Sequence, residues 1–153
     1  MYTTSVGYQG GSIDAPSYEA VCTGRTGHAE VISVIYDADK VSASTLLSSF
    51  WECHDPTQGD RQGNDVGSQY RSAVFTTTAA QLAEARESKA MYEAELNKAG
   101  VKKTITTEIR EAPEYFLAEE YHQQYLDKNP AGYCGLKGTG VACPYVPKTK
   151  SDL

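Results

Sequence analysis

The run Glu30-Val-Ile-Ser-Val-Ile-Tyr36 constrains this chain most, because it is β-branched and apolar on both of its alternating faces. Successive strand side chains point to opposite sides of a sheet, so such a run calls for cover on both sides. The expectation is a central strand in a layered domain. Around it, strand-like and helix-like periods alternate. The first residues begin as a strand and dissolve into a loop at Gly10, Gly11, Asp14 and Pro16. Ser42 precedes Leu46, Leu47, Phe50 and Trp51, whose spacing places them on one helical face. Tyr70 to Thr76 reads as a strand. Thr78 with Gln81 forms a capping box for a helix that runs to Gly100. Thr104 to Glu111 sets Ile105 and Ile109 among polar neighbours, a strand with one wet face. Leu117, Tyr121 and Tyr125 recur at i, i+4 and predict a helix stopped by Asn129-Pro130. Interleaved strands and helices predict an α+β fold with a mixed sheet, as one domain over residues 1–153. A flexible Gly/Pro/Lys-rich coil tail is expected from about 132 to 153.

Charge and cysteine usage narrow the function classes. With 14 Lys+Arg against 20 Asp+Glu the formal net charge is −6, and no block of like charges forms an electrostatic footprint for nucleic acid or an anionic membrane. No apolar run approaches the length that spans a bilayer. Four cysteines in 153 residues are too few for a disulfide scaffold, and no C-x-x-C pair or zinc-finger spacing occurs. Cys22 and Cys53 are isolated in sequence. Cys134 and Cys143 share a tail rich in glycine, where two thiols suit relay by thiol–disulfide exchange; the alternative is a pair of inert surface thiols.

Three further stretches could carry chemistry. In Gly27-His28-Ala29-Glu30 the carboxylate stands at the start of the apolar run, where desolvation would raise its pKa and fit it to donate a proton. The alternative is a strand-end carboxylate with its head in solvent, and His28 reads as a loop hydrogen-bonder. The polar segment from His54 to Gly67 lacks periodicity, which marks a functional or a disordered loop. The stretch Gln62-Gly-Asn-Asp-Val-Gly-Ser-Gln-Tyr-Arg71 gathers the polar heads of Asp65, Gln69, Tyr70 and Arg71 where a strand begins; a loop held by its own Asn and Asp side chains is the competing reading. Tyr18 and Tyr70 are among eleven tyrosines and fall in loop-like contexts where a phenol could donate to a ligand. His122 on a helix is more often structural than catalytic.

Taken together, the motifs T-S-V-G-Y-x-G-G, P-x-Y-x-x-V-C-x-G-x-T-G-H-A-E, F-W-x-x-H-D-P-T-Q, R-Q-G-N-D-x-G-x-Q-Y-R-S, A-E-E-Y-H-Q-Q-Y-L and K-N-P-x-G-Y-C-G resemble the methionine sulfoxide reductase A family, in unbroken order from residue 2 to about Pro144. The resemblance implies a two-layer α+β fold with a ferredoxin-like core. It also implies thioredoxin-dependent reduction of the S epimer of methionine sulfoxide, free or in proteins. Carried over position by position, Glu30 matches the acid that hydrogen-bonds or protonates the sulfoxide oxygen. Tyr18 and Tyr70 match the phenols that hold that oxygen, and Asp65 matches a carboxylate that organises the site. Cys134 matches the resolving cysteine and Cys143 the second one, which hands the disulfide to thioredoxin. No bound cofactor or metal is expected, only thioredoxin or dithiothreitol as external reductant, in a monomeric cytoplasmic protein. The family's nucleophilic cysteine belongs to a G-C-F-W-G segment ahead of the first strand, and no such motif occurs in these 153 residues. Met1 stands where relatives carry valine, so a GTG codon read as a start is the expected reason; a catalytically dead sulfoxide-binding module and a non-functional fragment are the alternatives.

Overall fold

The computed structural model describes residues 3–145. Strand β1 (Thr3–Gln9) pairs antiparallel with β2 (Ala29–Ile35) along its whole length, Thr3 opposite Ile35 and Gln9 opposite Ala29. On its other side β1 pairs with β7 (Tyr115–Leu117), Gly7 opposite Leu117. The strand order is therefore β2-β1-β7. β1 is the middle strand, and β2, expected there from its apolar run, lies at the edge among the described residues. Ile32 and Ile35 are consequently 63% and 58% exposed. Close approach explains why β1 takes a partner on each side: a Cβ at Gly7 would fall 2.4 Å from the Tyr115 ring and 2.5 Å from the Phe116 carbonyl.

The main core lies elsewhere. Helix α2 (Ala43–Cys53) starts at Ser42, whose hydroxyl accepts the Thr45 N–H, and presents Leu47 and Trp51 to helix α3 (Ala79–Lys98). Trp51 is fully buried, stacks on Tyr92 with ring centroids 5.8 Å apart, and donates its indole N–H to Ser88. Leu96, Ala85 and Ile105 complete this cluster. Helix α3 begins as the capping pattern predicts: Thr78 Oγ1 accepts the Gln81 N–H, while the Gln81 carbonyl reaches one residue further back, to the N–H of Thr77. Gly100, with φ of +85°, follows its C-cap. The helix is the crossover between β5 (Ala73–Thr76) and β6 (Glu108–Glu111), which pair in parallel. Parallel and antiparallel ladders thus coexist, as expected of an α+β fold, but in three separate ladders: a short hairpin of β3 (Arg61–Gln62) and β4 (Asp65–Val66) is the third.

The segment after β7 departs from its periodicity. Leu117 ends the strand, residues 120–124 turn, and helix α4 is only Tyr125–Lys128. Tertiary hydrogen bonds outweigh the i, i+4 pattern here. The Gln123 side-chain amide accepts the Val6 N–H at 2.8 Å and donates to the Val6 carbonyl at 2.9 Å, occupying β1 as a neighbouring strand would. Gln124 then adopts φ of +54°, which a helix cannot propagate.

The tail is coil and is seated on the core. Tyr92, buried, donates its hydroxyl to the Val141 carbonyl and shares a 2.7 Å hydrogen bond with Thr139. The Cys143 N–H donates to Glu52 at 2.7 Å, and Ser48 donates to the Tyr145 carbonyl. The portion of the expected tail beyond residue 145 lies outside the described residues. Replacing Tyr92 by Phe keeps the ring and removes this hydroxyl. We expect it to lower unfolding stability by about 1–2 kcal/mol in urea titration. Amide hydrogen exchange over 139–143 should rise while that of α2 is unchanged.

Candidate active site

The 3-10 turn Ser68–Tyr70 brings the D-x-G-x-Q-Y-R motif against β2, and Arg71 fixes it there. The Arg71 guanidinium donates to the carbonyls of Ser68 and Gly27 and pairs with Glu108 at 3.0 Å. It therefore joins the turn, the loop leading into β2, and β6. Burial opposes ionisation of Glu108, but hydrogen bonds from Arg71 and Arg110 more than offset it and hold that carboxyl below its ordinary range. Arg110 in turn donates to the Gly10 carbonyl. His28 lies buried under the same loop, accepting the Gly11 N–H and hydrogen-bonding the Ile13 carbonyl, a loop hydrogen-bonder as its sequence context suggests.

Within this frame the four residues singled out from sequence come together. Glu30 projects from β2 opposite Tyr8, and its Oε1 is buried without a hydrogen-bond partner. Burial pushes its carboxyl above the ordinary value, and the charges of Asp65 and Glu119 push it the same way. Tyr18 opens helix α1 (Tyr18–Cys22), which Ser17 caps. Interaction of its hydroxyl with the nearby Cys22 thiol, the thiol's charge, burial, and the proximity of Tyr70 and Glu30 drive its pKa up to about 12. Tyr70 is also raised, by burial first and then by Glu30 and Cys22. Asp65, in the β3–β4 hairpin, lies within electrostatic reach of Glu30 and Tyr70 and accepts the Tyr133 hydroxyl at 3.3 Å. The four converge although they come from two motifs separated by some thirty residues of chain. Cys134 and Cys143 are not part of this cluster of side chains: the first follows Tyr133 above Asp65, and the second lies against Glu52.

Such a site can supply protons to an oxygen acceptor. A carboxyl that resists ionisation and two phenols that stay protonated near neutrality form a donor set, and burial of the acid makes each hydrogen bond stronger. Among the described residues, no group of three His, Cys, Asp or Glu side chains is placed to hold a metal ion.

Sequence reasoning missed the support beneath this set. The Glu119 carboxylate accepts the Tyr18 N–H at 2.8 Å and the Tyr8 hydroxyl at 2.7 Å, so one side chain sets both the start of α1 and the ring behind Glu30. His122 packs edge-on against Tyr18, with centroids 4.7 Å apart, and hydrogen-bonds Tyr8. The signal was the A-E-E-Y-H-Q-Q-Y-L motif itself, whose helical spacing masked its role as a turn. Cys22 was set aside as isolated; the fold brings its thiol to Tyr18.

An acid-assisted donor site on an α+β domain is the class that these features define. The family profile described as peptide methionine sulfoxide reductase matches residues 1–148, and the chain belongs to that family. It is 60% identical over 144 residues to the peptide methionine sulfoxide reductase MsrA of Methylococcus capsulatus, covering 94% of this chain and 64% of that one. The chain thus spans just under two thirds of that relative's length. Methionine sulfoxide reductase A of Corynebacterium diphtheriae superposes with a TM-score of 0.81 at 48% identity, over 95% of this chain and 72% of that one. Mxr1 of Saccharomyces cerevisiae in reduced form gives 0.75 at 40% identity, over 93% and 75%. The same yeast protein in complex with Trx2 matches at 21% identity and a TM-score of 0.51, a likeness of fold alone.

The sign of the Glu30 shift fixes a stability test. The folded chain holds this proton more tightly than the unfolded chain, so its stabilising contribution is full below the ordinary value of 4.5 and is lost as pH rises through the raised one. We expect Glu30→Gln to melt with the parent below about pH 4 and above it near about pH 7, because the amide cannot ionise. Thermal melts across that range check it; equal displacement at every pH would show that the carboxyl is not desolvated.

Proposed function

We propose that these residues serve reduction of the S epimer of methionine sulfoxide, free or in proteins, with thioredoxin as the reductant. The carrying observation is the half-buried Glu30 carboxyl, whose Oε1 is shut from solvent without a partner, held toward its protonated form beside two phenols. A sulfoxide oxygen is a strong acceptor that leaves as water, so it needs a proton as the S–O bond breaks. Glu30 supplies that proton, and Tyr18 and Tyr70 hold the oxygen by donating to it. Asp65 keeps the Glu30 proton in place by its charge and steadies Tyr133.

A thiolate that attacks the sulfoxide sulfur bonds to it as the oxygen leaves as water; a second water then attacks the cysteine sulfur, the bond between the two sulfurs breaks, methionine departs, and the cysteine is left as a sulfenic acid. Cys134 then attacks that sulfur, expelling water and forming a disulfide. Cys143 attacks Cys134 in turn and carries the oxidised pair to a surface where thioredoxin reduces it. Mxr1, the yeast relative, has been solved with Trx2, which supports the choice of reductant. The attacking thiol is assigned to none of Cys22, Cys53, Cys134 and Cys143, and in the family it belongs to the G-C-F-W-G segment. Cys22 is the one that the fold brings to Tyr18, and its thiol lies against that phenol with no basic group assigned to activate it.

Two measurements follow. Residues 1–153 alone should not turn over methyl aryl sulfoxide with dithiothreitol; turnover abolished by Cys22→Ser would make Cys22 the attacking thiol and overturn this reading. In the same chain joined to a G-C-F-W-G segment, Glu30→Gln should slow methionine formation in single-turnover kinetics by roughly 10²-fold. Disulfide formation should keep its rate once the sulfenic acid exists, since that exchange needs thiols and not this carboxyl. Unchanged methionine formation would remove Glu30 from the role of acid.

A further inference from the structure

Cys53 occupies a place that the proposed relay does not use. It is the last residue of α2, where its thiol donates to the Phe50 carbonyl at 3.3 Å and lies 4.0 Å from His54 Nδ1. His54 cannot serve as its base in this arrangement, because Nδ1 makes a 2.7 Å contact with the same carbonyl and Nε2 a 2.7 Å contact with Ser72. The end of α2 is nevertheless where the tail lies. A Cβ on Gly138 would fall 2.0 Å from the Glu52 carbonyl, and the Cys143 N–H binds the Glu52 carboxylate. Tyr133 donates to Asp65, and a Cβ on Gly135 would fall 2.6 Å from the same carboxylate. Cys134 is therefore held at Asp65 by its neighbours on both sides, and four residues later the tail meets the end of α2 at Glu52. Both Cys53 and Cys134 are exposed free thiols.

We propose that Cys53 is a third redox thiol of this tail, and that it forms a disulfide with Cys134. The proposal rests on reading Cys134 as the resolving thiol. Cys53 thiolate attacks the Cys134 sulfur of a Cys134–Cys143 disulfide. The bond between sulfurs 53 and 134 forms, the bond between 134 and 143 breaks, and the electron pair leaves on Cys143, which takes up a proton. A glutathione mixed disulfide on Cys134 reacts in the same way and expels glutathione. Although the residue is exposed, partial desolvation of its sulfur raises the Cys53 thiol and the neighbouring Cys134 charge adds to it, so Cys53 attacks slowly near neutrality and, once bonded, is the poorer leaving group. The Cys53–Cys134 bond consequently accumulates as a resting form. It ties the tail across Asp65 and leaves Cys143 free.

The test equilibrates the chain in oxidised and reduced glutathione, traps free thiols by alkylation, and maps linked peptides without reduction. In Cys143→Ser the expected main product is the Cys53–Cys134 bond. It should exceed Cys22–Cys53 by about tenfold or more, although chain separation alone favours the shorter loop. In guanidinium the order should reverse, which separates native placement from chance encounter. Recovery of alkylated Cys53 in folded Cys143→Ser, with Cys134 carrying only glutathione, overturns the proposal. A parent chain that forms Cys53–Cys134 but never Cys134–Cys143 supports this inference and counts against the relay. A parent that forms only Cys134–Cys143, together with a Cys143→Ser variant that leaves Cys53 free, leaves the relay standing and removes Cys53 from it.

Discussion

One guanidinium holds the site in register. Arg71 reaches the carbonyl before the G-H-A-E strand, the carbonyl of the 3-10 turn and the Glu108 carboxylate, so three segments far apart in sequence meet at one cation. Its charge-assisted hydrogen bonds are the strong kind, and three directions of restraint leave the turn no freedom to slide along β2. The position of Tyr70 next to Glu30 follows from it. So does the burial that raises both groups, since the turn is what covers that end of the strand.

A second carboxylate performs the matching task from the other side. Glu119 fixes α1 through the Tyr18 backbone and fixes Tyr8 through its hydroxyl, while its negative charge discourages ionisation of Glu30. Burial works against an ionised Glu119, and the hydrogen bonds it accepts prevail, so its pKa is held low. One carboxylate kept charged thus helps to keep another protonated, the separation of roles on which acid catalysis by paired carboxyls depends.

Local chemistry was legible in the sequence and long-range chemistry was not. Ser42 and Thr78 announce their helices because capping is a contact across three residues, and Ile105 and Ile109 mark the buried face of β6 and the chain before it. The motifs named Glu30, Tyr18, Asp65 and Tyr70 as a set through resemblance, and the chain pairings bring them together. Periodicity failed at Leu117, Tyr121 and Tyr125, because the amide of Gln123 docks on β1 from 117 positions away. It failed also for β2, whose apolar run does not say which strand takes two partners; Gly7 decides that by letting β7 approach. In sequence Arg71 is one polar head among several and Glu119 one letter of a helical-looking motif, since nothing in a linear reading says which carbonyl or hydroxyl a charged head is aimed at.

The single tryptophan has a consequence of its own. Trp51 is wholly buried, stacked on Tyr92, and Tyr92 is the residue whose hydroxyl holds Thr139 and Val141. All indole emission from this chain therefore originates one ring away from the tail's anchor. Lifting the tail unloads Tyr92 and admits water beside the indole, which moves its fluorescence toward longer wavelength. The protein carries a built-in optical gauge of tail docking, readable in a stopped-flow cell without any added label.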